Sequence, residues 1–168
     1  MTNNPLLGCA ALPRRSQSVD LAAAINAACD RAASVEPRVR SLVPEPGRRE
    51  RLLAEADTLA VRFPDETERP PLFGALVGIK DIFNVEGMPT RAGSALPPEE
   101  FAGPQADCVN RLINAGALVF GKTITTEFAY FDPGATTNPH DTHHTPGGSS
   151  SGSAAGVAAG LFSLAIGS

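Results

Sequence analysis

Apolar residues fall at helical spacing near the start of the chain. Leu21, Ile25, Ala28, Cys29 and Ala32 predict an amphipathic helix, with Ser18 as its cap, Asp20 in its first turn and Pro37 as its stop. A second helix is predicted after Pro46-Gly47, with Leu52, Leu53, Ala56, Leu59 and Ala60 as its apolar stripe. The polar, proline-rich PDETERPP (64–71) then reads as a connection. Beyond it the pattern changes. LFGALVGIKDIF (72–83) carries a short apolar run that predicts a buried strand ending near Lys80, and VEGMPTRAGS (85–94) is turn chemistry. DCVNRLINAG (107–116) predicts a helix with Val109, Leu112 and Ile113 on one side and Gly116 as its stop. ALVF (117–120) predicts another buried strand. A Gly/Ser loop, an alanine-rich helix from about Ser151 to Ala159 and the strand-like LFSLAIG follow.

Helix followed by buried strand, repeated, predicts an α/β fold with helices packed on a mostly parallel or mixed central sheet. The organisation expected is a helical arm over residues 1–70 and the first part of an α/β core over 71–168. No internal repeat is visible.

Charge sharpens this picture. From Phe128 onward the only formal charges are Asp132 and Asp141. So long a charge-poor stretch is expected to be buried or to line a site. The sequence stops at Ser168 within the apolar run LFSLAIGS, which predicts the N-terminal piece of a longer fold and self-association through an exposed apolar C-terminal region. The whole chain of 168 residues has a net charge of −4 with acids and bases mixed, which points to neither nucleic acid nor a membrane surface. No segment reaches the roughly 18 unbroken apolar residues of a membrane span, and the N-terminal arginines follow the apolar stretch instead of preceding it, unlike a secretory signal. Three cysteines, Cys9, Cys29 and Cys108, are odd in number and far apart, which argues against a disulfide framework or zinc cluster and for a cytoplasmic setting.

Four stretches carry candidate chemistry. GALVFGKT (116–123) matches the spacing of a phosphate loop, but Ala-Leu-Val-Phe favours a strand where a flexible cradle is needed. HDTHH (140–144) offers His140, Asp141, His143 and His144, yet its flanking prolines predict a loop of solvated histidines, and no metal or cofactor is expected. Lys80 lies between Ile79 and Ile82 at the end of a run that favours burial. Burial disfavours an ammonium and makes a neutral lysine available as a general base. Finally, TPGGSSSGSAAGVAAG (145–160) has the letters of a linker, but it leads into a helix and a buried strand. A Gly/Ser loop at a helix start presents N–H groups and hydroxyls to an anion or a developing oxyanion. A serine there needs a base, and a desolvated lysine serves where no histidine is adjacent.

GALVGIKDIFNVEGMPTRAGS (74–94), GKTITTEFAY (121–130) and TNPHDTHHTPGGSSSGSAAGVAAG (137–160) together resemble the amidase signature hydrolases, in the right order and over about residues 72–168. The resemblance implies the amidase signature fold, a small-molecule amide substrate and a Ser–cis-Ser–Lys triad with Lys80 as base and Ser149 as the cis-peptide serine that relays a proton. It also implies that Ile166-Gly167-Ser168 begins the segment bearing the nucleophile, so that this N-terminal portion alone is expected to be inactive. GKTITTEFA departs from the Asp-Glu-Phe-Ala form of the tRNA-dependent amidotransferase A-type subunit, which favours a stand-alone amidase over that alternative. A non-catalytic small-anion-binding module is the competing reading from another class.

Overall fold

A computed structural model describes residues 4–8, 10 and 20–168. Ser18 and Cys9 lie outside the described residues. The first helix, α1, spans Leu21–Val39, and its cap is Asp20, whose carboxylate accepts a hydrogen bond from the Ala23 N–H at 2.9 Å. Pro37 does not stop it. The proline sits in the last turn, where it removes at most one backbone hydrogen bond, and the helix ends at Arg40, in the left-handed conformation with its N–H on the Glu36 carbonyl. The second helix, α2, spans Arg48–Arg62 and buries Leu52, Ala56 and Leu59, while Ala60 faces solvent.

The sheet is formed by β1 (Leu76–Lys80), β2 (Leu118–Thr123) and β3 (Leu164–Ile166), in the order β2-β1-β3 with both pairings parallel. An antiparallel bridge joins Leu42 to Thr123 at the outer side of β2. Helix α3 (Asp107–Asn114) connects β1 to β2, and α4 (Ser151–Ala158) connects β2 to β3. The two crossovers run in opposite directions across the sheet, so right-handed connections put their helices on opposite faces. The fold is α/β, as the pattern of elements predicts.

Alternation along β1 and β2 sorts side chains between two cores. Leu76, Leu118 and Phe120 pack with Leu52, Leu59, Leu161 and Phe162 on the face shared with α1, α2 and α4. Val77, Ile79 and Val119 pack with Val109 on the α3 face. Ile113, expected on the apolar side of α3, is exposed, because so short a helix covers little of the sheet and Val109 takes the central position. Gly116 follows the helix at φ +92°, and a Cβ there would stand 2.7 Å from Pro70 and 2.9 Å from Phe73. Only glycine meets both conditions.

A bulge in the β1–β2 register at Val77/Gly78 leaves Phe120 as the extra residue of β2. Beyond it Ile79 pairs with Lys122 and Lys80 with Thr123. This register decides where the two buried lysines go. Lys80 takes the α4 face, and Lys122 takes the α3 face.

Candidate active site

Lys80 is the last residue of β1 and is 0% exposed. Its side-chain nitrogen lies 2.5 Å from Ser149 Oγ and 2.6 Å from Ser168 Oγ. Burial pushes the Lys80 pKa below the ordinary lysine value. Both of these partners are hydroxyls, which accept from an ammonium and donate to a neutral amine equally well. The contact is therefore compatible with proton transfer in either direction.

Ser149 is held from the backbone side. The Gly148–Ser149 peptide is cis, and the Ser149 carbonyl accepts from the Thr126 N–H at 3.0 Å. Further on, the Gly152 N–H donates to the Ile124 carbonyl at 2.8 Å. The serine loop and the start of α4 are thus laid along residues 124–126, which continue directly from β2. The Gly147 N–H is engaged by Thr145 Oγ1 at 2.9 Å, so two of the N–H groups that an anion-capturing loop would offer point at protein acceptors.

Two further hydroxyls, Ser150 at the loop's end and Ser153 on α4, reach β3 and the residues that follow it. Ser153 Oγ bonds Thr123 Oγ1 at 2.7 Å and donates to the Ile166 carbonyl at 2.9 Å. Ser150 Oγ accepts from the Ser168 N–H at 3.1 Å. Together these contacts bring the segment 166–168 over the Lys80 amine. Sequence reasoning named Lys80 and Ser149 but not the Ser153–Thr123 contact, nor Thr126. The alternation of Thr123 with Lys122 in a buried strand was the available signal for the first, and no local signal marks Thr126.

A second buried cluster lies across the sheet and was not foreseen. Lys122 Nζ is 2.8 Å from Asp81 Oδ1 and donates to Thr90 Oγ1 at 2.8 Å. Thr90 in turn donates to Asn84 Oδ1 at 2.7 Å, and Asp81 Oδ2 accepts from the Arg91 N–H at 3.2 Å. Both charged side chains are almost wholly buried. The Gly-Lys-Thr that matches a phosphate loop is therefore part of β2, with its lysine paired to a carboxylate.

The HDTHH stretch is an exposed turn. His144 Nδ1 stands 2.9 Å from Asp141 Oδ2, and the His143 N–H holds the Asp141 carboxyl below its usual pKa. A cavity of about 570 Å³ lies at the other side of β2, lined by Arg51, Arg62, Met88, Gln105 and Val119 among others, and includes neither Lys80 nor Ser149. The buried lysine and the serine hydroxyls converge elsewhere, at the carboxyl ends of the parallel strands, the edge at which other open α/β sheets bind their ligands. Among the described residues no helix is long and apolar enough to cross a membrane.

Comparison with known proteins places the fold among amidases. The family model described as Amidase matches residues 23–168. The chain is 43% identical over 129 residues to AtzE, the 1-carboxybiuret hydrolase component of Pseudomonas sp. (strain ADP), covering 71% of this chain and 28% of that protein. It is 37% identical over 145 residues to the A-type subunit of glutamyl-tRNA(Gln) amidotransferase from Chloroflexus aggregans, covering 80% of this chain and 28% of that protein. The structure of native peptide amidase from Stenotrophomonas maltophilia superposes with a TM-score of 0.76 at 36% identity, over 88% of this chain and 32% of that one. The chain spans less than a third of the length of each.

Proposed function

The chain belongs to the amidase family, and we propose that it supplies the base and the proton relay of an amide hydrolase working by a Ser–cis-Ser–Lys mechanism. The observation that carries the reading is the fully buried Lys80 amine at 2.5 Å from Ser149 Oγ, with hydroxyls and no carboxylate as its side-chain partners among the described residues. In this reading neutral Lys80 takes the Ser149 hydroxyl proton as Ser149 takes that of a nucleophilic serine. The serine oxygen adds to the amide carbon, the C–N bond breaks, and the relayed proton leaves with ammonia or an amine. Water then hydrolyses the acyl-enzyme by the same relay.

The nucleophile is assigned, by the resemblance to amidase signature hydrolases, to a serine in the segment that Ile166-Gly167-Ser168 begins, which the Ser168 hydroxyl brings to the Lys80 amine. A stand-alone hydrolase is favoured over an amidotransferase component by Thr126-Glu127-Phe128-Ala129, where the amidotransferase form has Asp-Glu-Phe-Ala. The substrate is a small carboxylic amide, and the setting proposed is cytoplasmic.

The test is a fluorophosphonate probe applied to the full-length protein, followed by peptide mapping. The expected label sits on one serine beyond Ser168, and it disappears in Lys80→Ala and in Ser149→Ala. A label on Ser149 itself, or one that survives loss of Lys80, sinks the assignment.

A further inference from the structure

Buried ion pairs seldom stabilise a protein, since removing two charges from water costs about as much as their attraction returns. The Lys122–Asp81 pair is almost wholly buried, and one of its members follows the buried Lys80 directly in sequence. Asp81 and Lys80 point to opposite faces of the sheet, but consecutive residues are only about 3.8 Å apart at their Cα atoms. An uncompensated carboxylate so near, in a low-dielectric interior, favours the charged form of a lysine. That is the form in which Lys80 could not act as a base.

Among the described residues, no other group is placed to offset Asp81. Neither α4 nor β3 carries a titratable side chain. Glu36 is taken up by the Ser41 and Leu42 amides. Glu86, Arg91 and Asp132 are exposed on the loops around the site, as are Asp107 and Arg111 on α3, and Glu127 is half-buried. Arg91 meets Asp81 only through its backbone N–H.

We propose that Lys122 is a positioning residue for the reaction, taking up the charge of Asp81 so that this carboxylate cannot serve as the counter-ion of Lys80. The inference rests on Lys80 being the base. Lys122 acts on Lys80 through Asp81 and does not touch the reacting atoms. The pair also ties down the 84–92 loop through Thr90, Asn84 and Arg91, and a purely structural role is the competing explanation.

The experiment measures the acid limb of kcat/KM in the full-length protein, alongside competitive acetylation of the Lys80 amine across the same pH range. Lys122→Met leaves Asp81 unpaired and is expected to move both curves up by roughly one pH unit. Asp81→Asn leaves Lys122 unpaired and moves both down. The double variant, Asp81→Asn with Lys122→Met, returns them close to the parent. Shifts of opposite sign with recovery in the double variant are not produced by a loosened loop. Limbs that stay in place, or that move the same way in both single variants, overturn the inference. Should Lys122→Met fail to fold, the Asp81→Asn curve decides alone: a downward shift supports the inference and an unmoved limb overturns it. The underlying base assignment fails by a different result, an unchanged pH profile in Lys80→Ala.

Discussion

Lys80 Nζ meets Ser149 Oγ at 2.5 Å although the two residues are 69 positions apart in the chain. The lysine comes from the end of a central strand, and the serine from a loop clamped to the continuation of the neighbouring strand. Sheet pairing fixes the lysine, and the Thr126 N–H on its carbonyl holds the serine, a fixed geometry of the kind a proton relay requires.

The first prediction concerns pH and stability. Burial lowers the pKa of Lys80, and it lowers that of Lys122 despite the opposing influence of Asp81. Between each lowered pKa and the ordinary value of about 10.4, the unfolded chain holds a proton that the folded protein lacks. Stability therefore rises with pH across that window and is lost as pH falls through it toward the folded-state pKa. Lys80→Met, which removes one of the two groups, is expected to flatten the rise in urea midpoint on the alkaline side of neutrality. An identical slope in the parent and the variant contradicts the burial argument.

Replacing Ser149 separates chemistry from folding. Its backbone carbonyl, not its side chain, receives the Thr126 N–H, so Ser149→Ala keeps that clamp. Turnover of small primary amides by the full-length protein is expected to fall about 10²- to 10⁴-fold, the range for a lost proton-transfer group, with the urea midpoint nearly unchanged. A large loss of stability with proportionate loss of activity would instead make Ser149 a structural residue.

Glu36 organises the turn from α1 toward the sheet. Its carboxylate accepts from the Ser41 N–H at 3.0 Å, the Ser41 hydroxyl at 2.5 Å and the Leu42 N–H at 2.9 Å. The Ser41 carbonyl then accepts from the N–H of Ile124, the residue whose own carbonyl receives Gly152. Glu36→Ala leaves these buried donors without a partner and is expected to cost about 2–3 kcal/mol in chemical denaturation. A cost below about 0.5 kcal/mol, the scale of an ordinary surface change, would mean that the turn is held by other contacts.

How much of this was legible depended on the range of the interaction. Periodicity located both long helices, while short apolar runs and an alanine-rich stretch located the three strands and α4, because burial against one sheet imposes a local pattern. Pro37 misled, since the rule that proline stops a helix does not apply within a last turn that a left-handed Arg40 can close. Lys80 was visible as a cation inside an apolar run. Its partner across the site was found only through family motifs, because nothing local distinguishes Ser149 from Ser150 or Ser151. The Asp81–Lys122 pair was hidden for another reason. Lys122 reaches Asp81 through a β-bulge, and a register shift leaves no mark in a run as uniformly apolar as Ala-Leu-Val-Phe.

The approach of α4 to the strand continuation beneath it is close enough to be tested with one methyl group. A Cβ on Gly152 would stand within van der Waals overlap of the Ser41 carbonyl oxygen and the Ile124 nitrogen, both backbone atoms that no side-chain rotation can clear. Gly152 also donates to Ile124, three residues from the Ser149 carbonyl in its own chain. Gly152→Ala should therefore lift α4 from residues 124–126 and draw Ser149 away from Lys80. Over-packing of this kind costs about 1–3 kcal/mol, and the variant is expected to lose stability on that scale. It should also lose more activity than its folded fraction explains. By contrast, alanine at the neighbouring exposed position is already the natural residue, Ala154, so helix propensity cannot account for a loss at 152. A Gly152→Ala protein of parental stability and turnover would show that the α4 start has slack, and the clamp on Ser149 would have to be sought elsewhere.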